Sequence, residues 1–147
     1  MRADLTPPSG GTPPPATATL PSGSILHLSP LAHQISERFQ AEYPDDNPET
    51  AKAAFAWCVH DNQWLLAWAA EDLTIGRGHF TKQLRWLAGI LRARNYPLER
   101  LVRDLELAAE VIGSNDAERA ALADRFRTGA TALAATSLAP TREREPR

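Results

Sequence analysis

The sequence predicts an all-α protein, a compact antiparallel bundle of four to five helices flanked by disordered tails. Three observations predict it. From residue 27 onward, apolar residues recur at the i, i+3, i+4, i+7 spacing that lines one face of a helix. Proline, asparagine and glycine fall between these segments, where helices start and stop. No segment alternates with the two-residue period of a strand, and no Asn-Gly or Asp-Gly hairpin turn occurs. The intervening loops are short, which favours antiparallel neighbours.

Ser29-Pro30 is an N-cap followed by proline in the first helical turn, and a first helix is expected over residues 30–42, burying Leu31, Ile35 and Phe39. Tyr43-Pro44-Asp45-Asp46-Asn47 stops it. Asn47-Pro48 repeats the signal and opens a long, alanine-rich second helix over 48–73, ending before Gly76 and Gly78. Phe55, Cys58, Leu65, Leu66, Ala69 and Leu73 form one apolar row on it, and only the sector with Glu49, Lys52, His60 and Gln63 reads as wet. A helix apolar over so much of its girth belongs in the middle of a bundle. The third helix is expected over 79–94 (Phe80, Leu84, Leu87 and Leu91, with Trp86 and Ile90 alongside), and Asn95-Tyr96-Pro97 turns the chain. The fourth spans 97–112, with Leu98, Leu101, Val102, Leu105, Ala108, Ala109 and Ile112 facing in, and Gly113 ends it. Ser114-Asn115-Asp116 caps a fifth helix over 117–135, whose larger anchors are Leu122, Phe126 and Leu133.

Domain organisation follows from where the apolar residues are. Residues 1–24 hold six of the twelve prolines and only two leucines, and residues 139–147 are nearly all Pro, Thr, Arg and Glu. Neither end buries enough apolar surface to offset the entropy of ordering it, so a disordered arm over 1–26 and a disordered tail over 139–147 are expected around one domain at 27–138. Acidic and basic residues interleave to a net charge of −2, and Glu99, Asp104 and Glu106 dilute the arginines at 85, 92, 94, 100 and 103. That pattern reads as a solvated helix surface and not as a nucleic-acid face. Cys58, the single cysteine, reads as a small hydrophobe. With no apolar run of signal-peptide or membrane-span length, a cytoplasmic location without membrane contact is expected.

The residues that carry candidate chemistry cluster on the second helix. Trp57, Trp64 and Trp68 fall within about 40° of one another at 100° per residue, and Asp61 lies on the same stripe. As core or inter-subunit residues, tryptophans supply large buried area and one N–H that wants an acceptor; as pocket lining, they stack on a flat ligand. The first is the expected role, with Asp61 accepting an indole N–H in either case. His60 and Asp61 are adjacent, so their side chains leave the helix about 100° apart and are not expected to form a dyad. The expectation is a solvent-edge His60 and an Asp61 paired with Arg85 or Arg103, fixing helix register. No His-x3-His or Glu-x2-His pair occurs on any helix, so no metal site is expected. No nucleophile elbow, phosphate-binding loop or nucleotide fingerprint is present either, and Gly76-Arg77-Gly78 reads as a helix-to-helix turn.

From Cys58 to Ile112 the pattern resembles a known family. Cys58-Val59-His60-Asp61, Trp64, Leu66, Trp68 and Glu71, then Phe80, Trp86, Leu91, Arg94, Pro97, Leu101, Leu105-Glu106 and Glu110-Val111, are similar to the helical N-terminal region of bacterial cobalamin-binding regulatory proteins. The likeness covers about 55 of the 147 residues. The family's Asp-x-His-x-x-Gly ligand motif is absent from these residues, so cobalamin is not carried over and no cofactor is expected. What the resemblance implies is a sensory or regulatory helical module of a bacterial protein that dimerises or contacts a partner.

The sequence therefore leads to two expectations. The first is a non-enzymatic regulatory module acting through homodimerisation or a protein partner, with Trp86 and the tryptophan stripe as core or interface. The second is a sensor of a flat aromatic molecule or tetrapyrrole, with a pocket between the second and third helices, lined by Trp64 and Trp68 and anchored by Asp61. The candidate residues are Trp57, His60, Asp61, Trp64, Trp68 and Trp86, with no catalytic set among them.

Overall fold

The computed structural model describes residues 12–76 and 78–138. The chain enters through a short antiparallel hairpin, β1 (Thr17–Thr19) and β2 (Ile25–His27), in which Ala18 faces Leu26. Five helices follow: α1 (Leu28–Glu42), α2 (Pro48–Ile75), α3 (His79–Ala93), α4 (Leu98–Ile112) and α5 (Ala117–Leu138). The predicted all-α architecture is thus the observed one, with α1 between α2 and α4, and α5 laid against α4, α3 and α2.

The hairpin is the first departure from expectation. Residues 12–26 are not a loose arm: Leu20 and Leu26 are buried in the core, and Leu28 N–H donates to the Ala16 carbonyl at 3.0 Å. That bond moves the start of α1 upstream of Ser29-Pro30, because β2 runs directly into the helix and the hairpin satisfies one of its orphan N–H groups. The strand period was invisible because each strand is three residues long. Residues 1–11 and 139–147, expected as disordered ends, lie outside the described residues.

Other boundaries follow their caps. Asn47 accepts the Glu49 N–H at 2.9 Å, with Pro48 opening α2. Gly76 closes α2 in the left-handed region (φ 69°). The next cap comes from a distance: Gly78 offers α3 no side chain, and Asp72, from the last turn of α2, accepts the His79 N–H at 3.0 Å. The other oxygen of Asp72 takes Arg125 Nε at 3.0 Å, so one buried carboxylate ties α2, α3 and α5 together.

The core is built from Leu28, Ile35, Leu66, Leu84, Leu105, Phe80 and Phe126, the two rings meeting edge to face at 5.0 Å. Leu122, Phe126 and Leu133 anchor α5 inside it as expected. The tryptophan stripe lies at its margin, with Trp68 packed against it. On α2 the buried row is Val59, Asn62, Leu65, Leu66, Ala69, Ala70 and Asp72, whereas Trp57, Trp64 and Trp68 are only half-buried. The centres of the two rows lie about 140° apart around the helix. Aliphatic residues of modest size fill the inward row, and the indoles lie on the flank.

Candidate functional site

A cleft of about 620 Å³ opens between the α1–α2 turn, the middle of α2, the end of α3 and the start of α4. The volume suits a small organic molecule. Phe39, Trp57, Leu65, Leu87, Leu91 and Tyr96 give it apolar and aromatic walls. The charged groups facing it are Asp45 and Asp46 from the turn, Asp61 from α2, Arg94 from the α3 end, and Arg100 and Asp104 from α4. Arg100 sits at the rim, its guanidinium 4.7 Å from the centre of the Tyr43 ring.

The cleft's polar residues Asn62 and Asp104 belong to a network bridging three helices. Asn62 Nδ2 lies 3.2 Å from Ser36 Oγ, 3.2 Å from Asp104 Oδ1 and 3.5 Å from Cys58 Sγ. An amide has two protons to give, so three acceptors compete for them. The opposite end of the same amide is worse off. Asn62 is 2% exposed, and its Oδ1 is buried with no hydrogen-bond partner. A buried acceptor left unpaired costs about 1–3 kcal/mol. Ser36 O–H and the Cys58 thiol can donate as well as accept, so the unmet group of this network is Asn62 Oδ1.

Charge sharpens the imbalance. Burial pushes the Asp104 carboxyl up to about 7, with the Asn62 bond pulling the other way and the charge of Asp61 adding to the rise. Asp61 is raised to about 6, again by burial, while His60 and Arg94 oppose the shift. The Asp61 side chain is 41% exposed, so solvent screens it and Asp104 is the firmer case. Burial also pushes the Cys58 thiol up to about 12 and raises the Tyr96 hydroxyl, which keeps both protonated near neutral pH.

The expected partners of Asp61 are elsewhere. Arg103 makes a two-pronged contact with Glu42 (2.8 Å twice), which holds the Glu42 carboxyl low, and Arg85 is exposed. Instead His60 Nδ1 lies 3.4 Å from Asp61 Oδ1. The pair that helical spacing argued against forms because His60 is pinned from its other side, its Nε2 being 2.9 Å from the Thr12 carbonyl. A carbonyl only accepts, so Nε2 carries a proton. His60 is accordingly covered, with 12% side-chain exposure, and is not at a wet edge.

The six candidate residues therefore divide. Trp57 and Asp61 line the cleft, and His60 abuts Asp61 while facing the N-terminal segment. Trp64 and Trp68 line a second, shallower groove of about 530 Å³ against β1. Trp86 stands on the surface of α3, edge-on to Trp68 at 6.2 Å. Asn62, Asp104, Tyr96 and Ser36 were missed. Their signal was a polar residue on a buried face: Asp104 lies between Leu101 and Ala108 on the inner row of α4, and Asn62 one turn before Leu66. No family model, curated protein or solved structure matches the chain. Among the described residues, no three His, Cys, Asp or Glu side chains gather to hold a metal ion, and no helix is long and apolar enough to cross a membrane.

Proposed function

We propose that the chain is a non-enzymatic sensory or regulatory module whose cleft between α2 and α4 binds a small organic cation, an ammonium group on an apolar body. The orphaned Asn62 Oδ1 carries this reading. Beside it stand Asp104 and Asp61, two further acceptors whose ionised forms burial disfavours. A ligand that brings N–H donors and a positive charge answers both deficits at once, and the aromatic walls suit its apolar part. A flat tetrapyrrole brings no such positive charge, and the cleft is bounded by α4 as well as by α2 and α3. The cleft's thiol is no nucleophile, since it stays protonated with its pKa near 12. The regulatory part draws on the resemblance of residues 58–112 to bacterial regulatory proteins.

Phenethylammonium is a suitable probe and phenethyl alcohol its neutral counterpart. Calorimetric titration of the full chain at pH 8 is expected to show saturable binding of the ammonium and none of the alcohol. Asp104→Asn, which keeps the bond from Asn62, is expected to weaken the ammonium at least ten-fold. Equal binding of the alcohol, or an Asp104→Asn variant that binds as well as wild type, would refute the reading.

Self-association is the second reading, and one observation favours it. Trp86 is 51% exposed and Ile75 41% exposed, and Trp86 packs on Trp68. Exposed large apolar side chains on one protein suit a second copy. Light scattering at micromolar concentration is then expected to report a dimer that Trp86→Ala dissociates; a wild-type monomer would remove this reading.

A further inference from the structure

Residues 12–15, Thr12-Pro13-Pro14-Pro15, lie across the outer face of α2 and are held by three side chains. His60 Nε2 and Trp64 Nε1 both lie 2.9 Å from the Thr12 carbonyl, and Gln63 Nε2 donates to the Pro15 carbonyl at 2.9 Å. Each proline fixes its own φ and presses the preceding residue into extended backbone, so this run favours a polyproline II conformation. Its three prolines have no N–H to give, so beyond Thr12 the backbone presents carbonyls alone. The facing surface is the complement of that: the imidazole N–H of His60 and, one turn on, the amide N–H of Gln63 and the indole N–H of Trp64, with the Trp57 ring edge-on to His60. Acceptor-only backbone set on donors and aromatic planes is the chemistry by which proteins read proline-rich segments.

The segment is lightly held. Thr12, Pro13 and Pro15 are exposed and only Pro14 is half-buried, in contrast with Leu20 and Leu26 of the hairpin that follows. Beyond Trp64 the chain continues into β1, which forms one wall of the shallow groove with Trp68. Gln83 borders that groove and keeps a buried Oε1 with no partner, an acceptor that a longer segment's backbone N–H satisfies.

We propose that the His60–Gln63–Trp64 face of α2 is a reader of proline-rich segments. Residues 12–15 occupy it in cis as a stand-in that a proline-rich segment of a partner protein displaces. The proposal does not rest on the cation reading of the cleft, although Trp57 and the His60–Asp61 contact join the two sites.

The test uses the full-length, 15N-labelled chain and the synthetic peptide Thr-Pro-Pro-Pro-Ala-Thr, followed at the Trp64 indole N–H signal. The triple variant Pro13→Gly, Pro14→Gly, Pro15→Gly removes the polyproline II preference and is expected to vacate the face. It is expected to bind the peptide at least ten-fold tighter than wild type, and a peptide with the prolines replaced by glycine is expected not to bind. Adding Trp64→Phe to the triple variant is expected to weaken binding at least ten-fold. Should the triple variant unfold, Pro14→Gly alone is expected to give the same ordering with a smaller step. A Trp64 indole signal blind to millimolar peptide in the folded variant, equal affinity of wild type and variant, or equal binding of the glycine peptide would each overturn the proposal. A wild-type dimer that the peptide dissolves would assign the face to a second copy's segment and overturn the partner assignment.

Discussion

Asp104 concentrates the tension in this molecule. It is 8% exposed, shares the Asn62 amide with Ser36 and Cys58, and holds its proton up to about pH 7 because burial penalises the charge. The folded chain therefore binds this proton more tightly than the unfolded chain, whose carboxyl titrates near 3.8. Its contribution to stability is fully present below about pH 4 and is lost as pH rises to about 7. Asp104→Asn is expected to remove that dependence and to stabilise the protein by about 1–3 kcal/mol at pH 8, with little change at pH 4, as measured by urea unfolding at the two pH values. From sequence, Asp104 was only one of the charges that dilute an arginine cluster, since charges are assigned to solvent by default. Its place among Leu101, Leu105 and Ala108 held the contrary information. Asp61 was legible as the acid to watch, but its partner was not. A histidine one residue away is out of reach on an ideal helix and comes within 3.4 Å only because Thr12 fixes the far side of the ring.

The helices show why bulk is a poor guide to the core. Tryptophans on one stripe of α2 predicted burial, yet the inward row uses Leu66, Ala69 and Ala70, and the stripe lies on the flank. Leu66→Ala is accordingly expected to cost about 3–4 kcal/mol, whereas Trp64→Ala, a half-buried site, is expected to cost less than half of that in the same denaturant titration. Close approach has a second marker on α5. A Cβ at Gly129 would overlap the fully buried Leu84 side chain of α3, so Gly129→Ala is expected to lower stability by about 1–2 kcal/mol despite the better helix propensity of alanine. The caps were legible where they are local, as at Asn47-Pro48. The cap of α3 was not, because Asp72 acts from seven residues upstream. Asp72→Ala leaves the His79 N–H and Arg125 without their partner and is expected to cost about 2–3 kcal/mol, read as a fall in thermal midpoint.

At the scale of the whole molecule, fold class and helix order followed from periodicity and punctuation, which are properties of neighbouring residues. The cleft network joins residues 26 and 42 positions apart and the segment over His60 joins residues 48 to 52 positions apart, and such contacts leave no local pattern; the hairpin is local, but its strands are too short to show a period. Two adjacent residues of α2 link the two candidate sites: Asp61 lines the cleft and His60 holds the N-terminal segment. The central claim is that the cleft takes a cation through ionised carboxylates. Titration of the full chain with phenethylammonium at pH 5 and pH 8 tests it most directly. The ligand is an ammonium at both values, while Asp104 and Asp61 pass from protonated to ionised between them. At least ten-fold tighter binding at pH 8 is the predicted result; equal affinity at the two pH values, or tighter binding at pH 5, would contradict it.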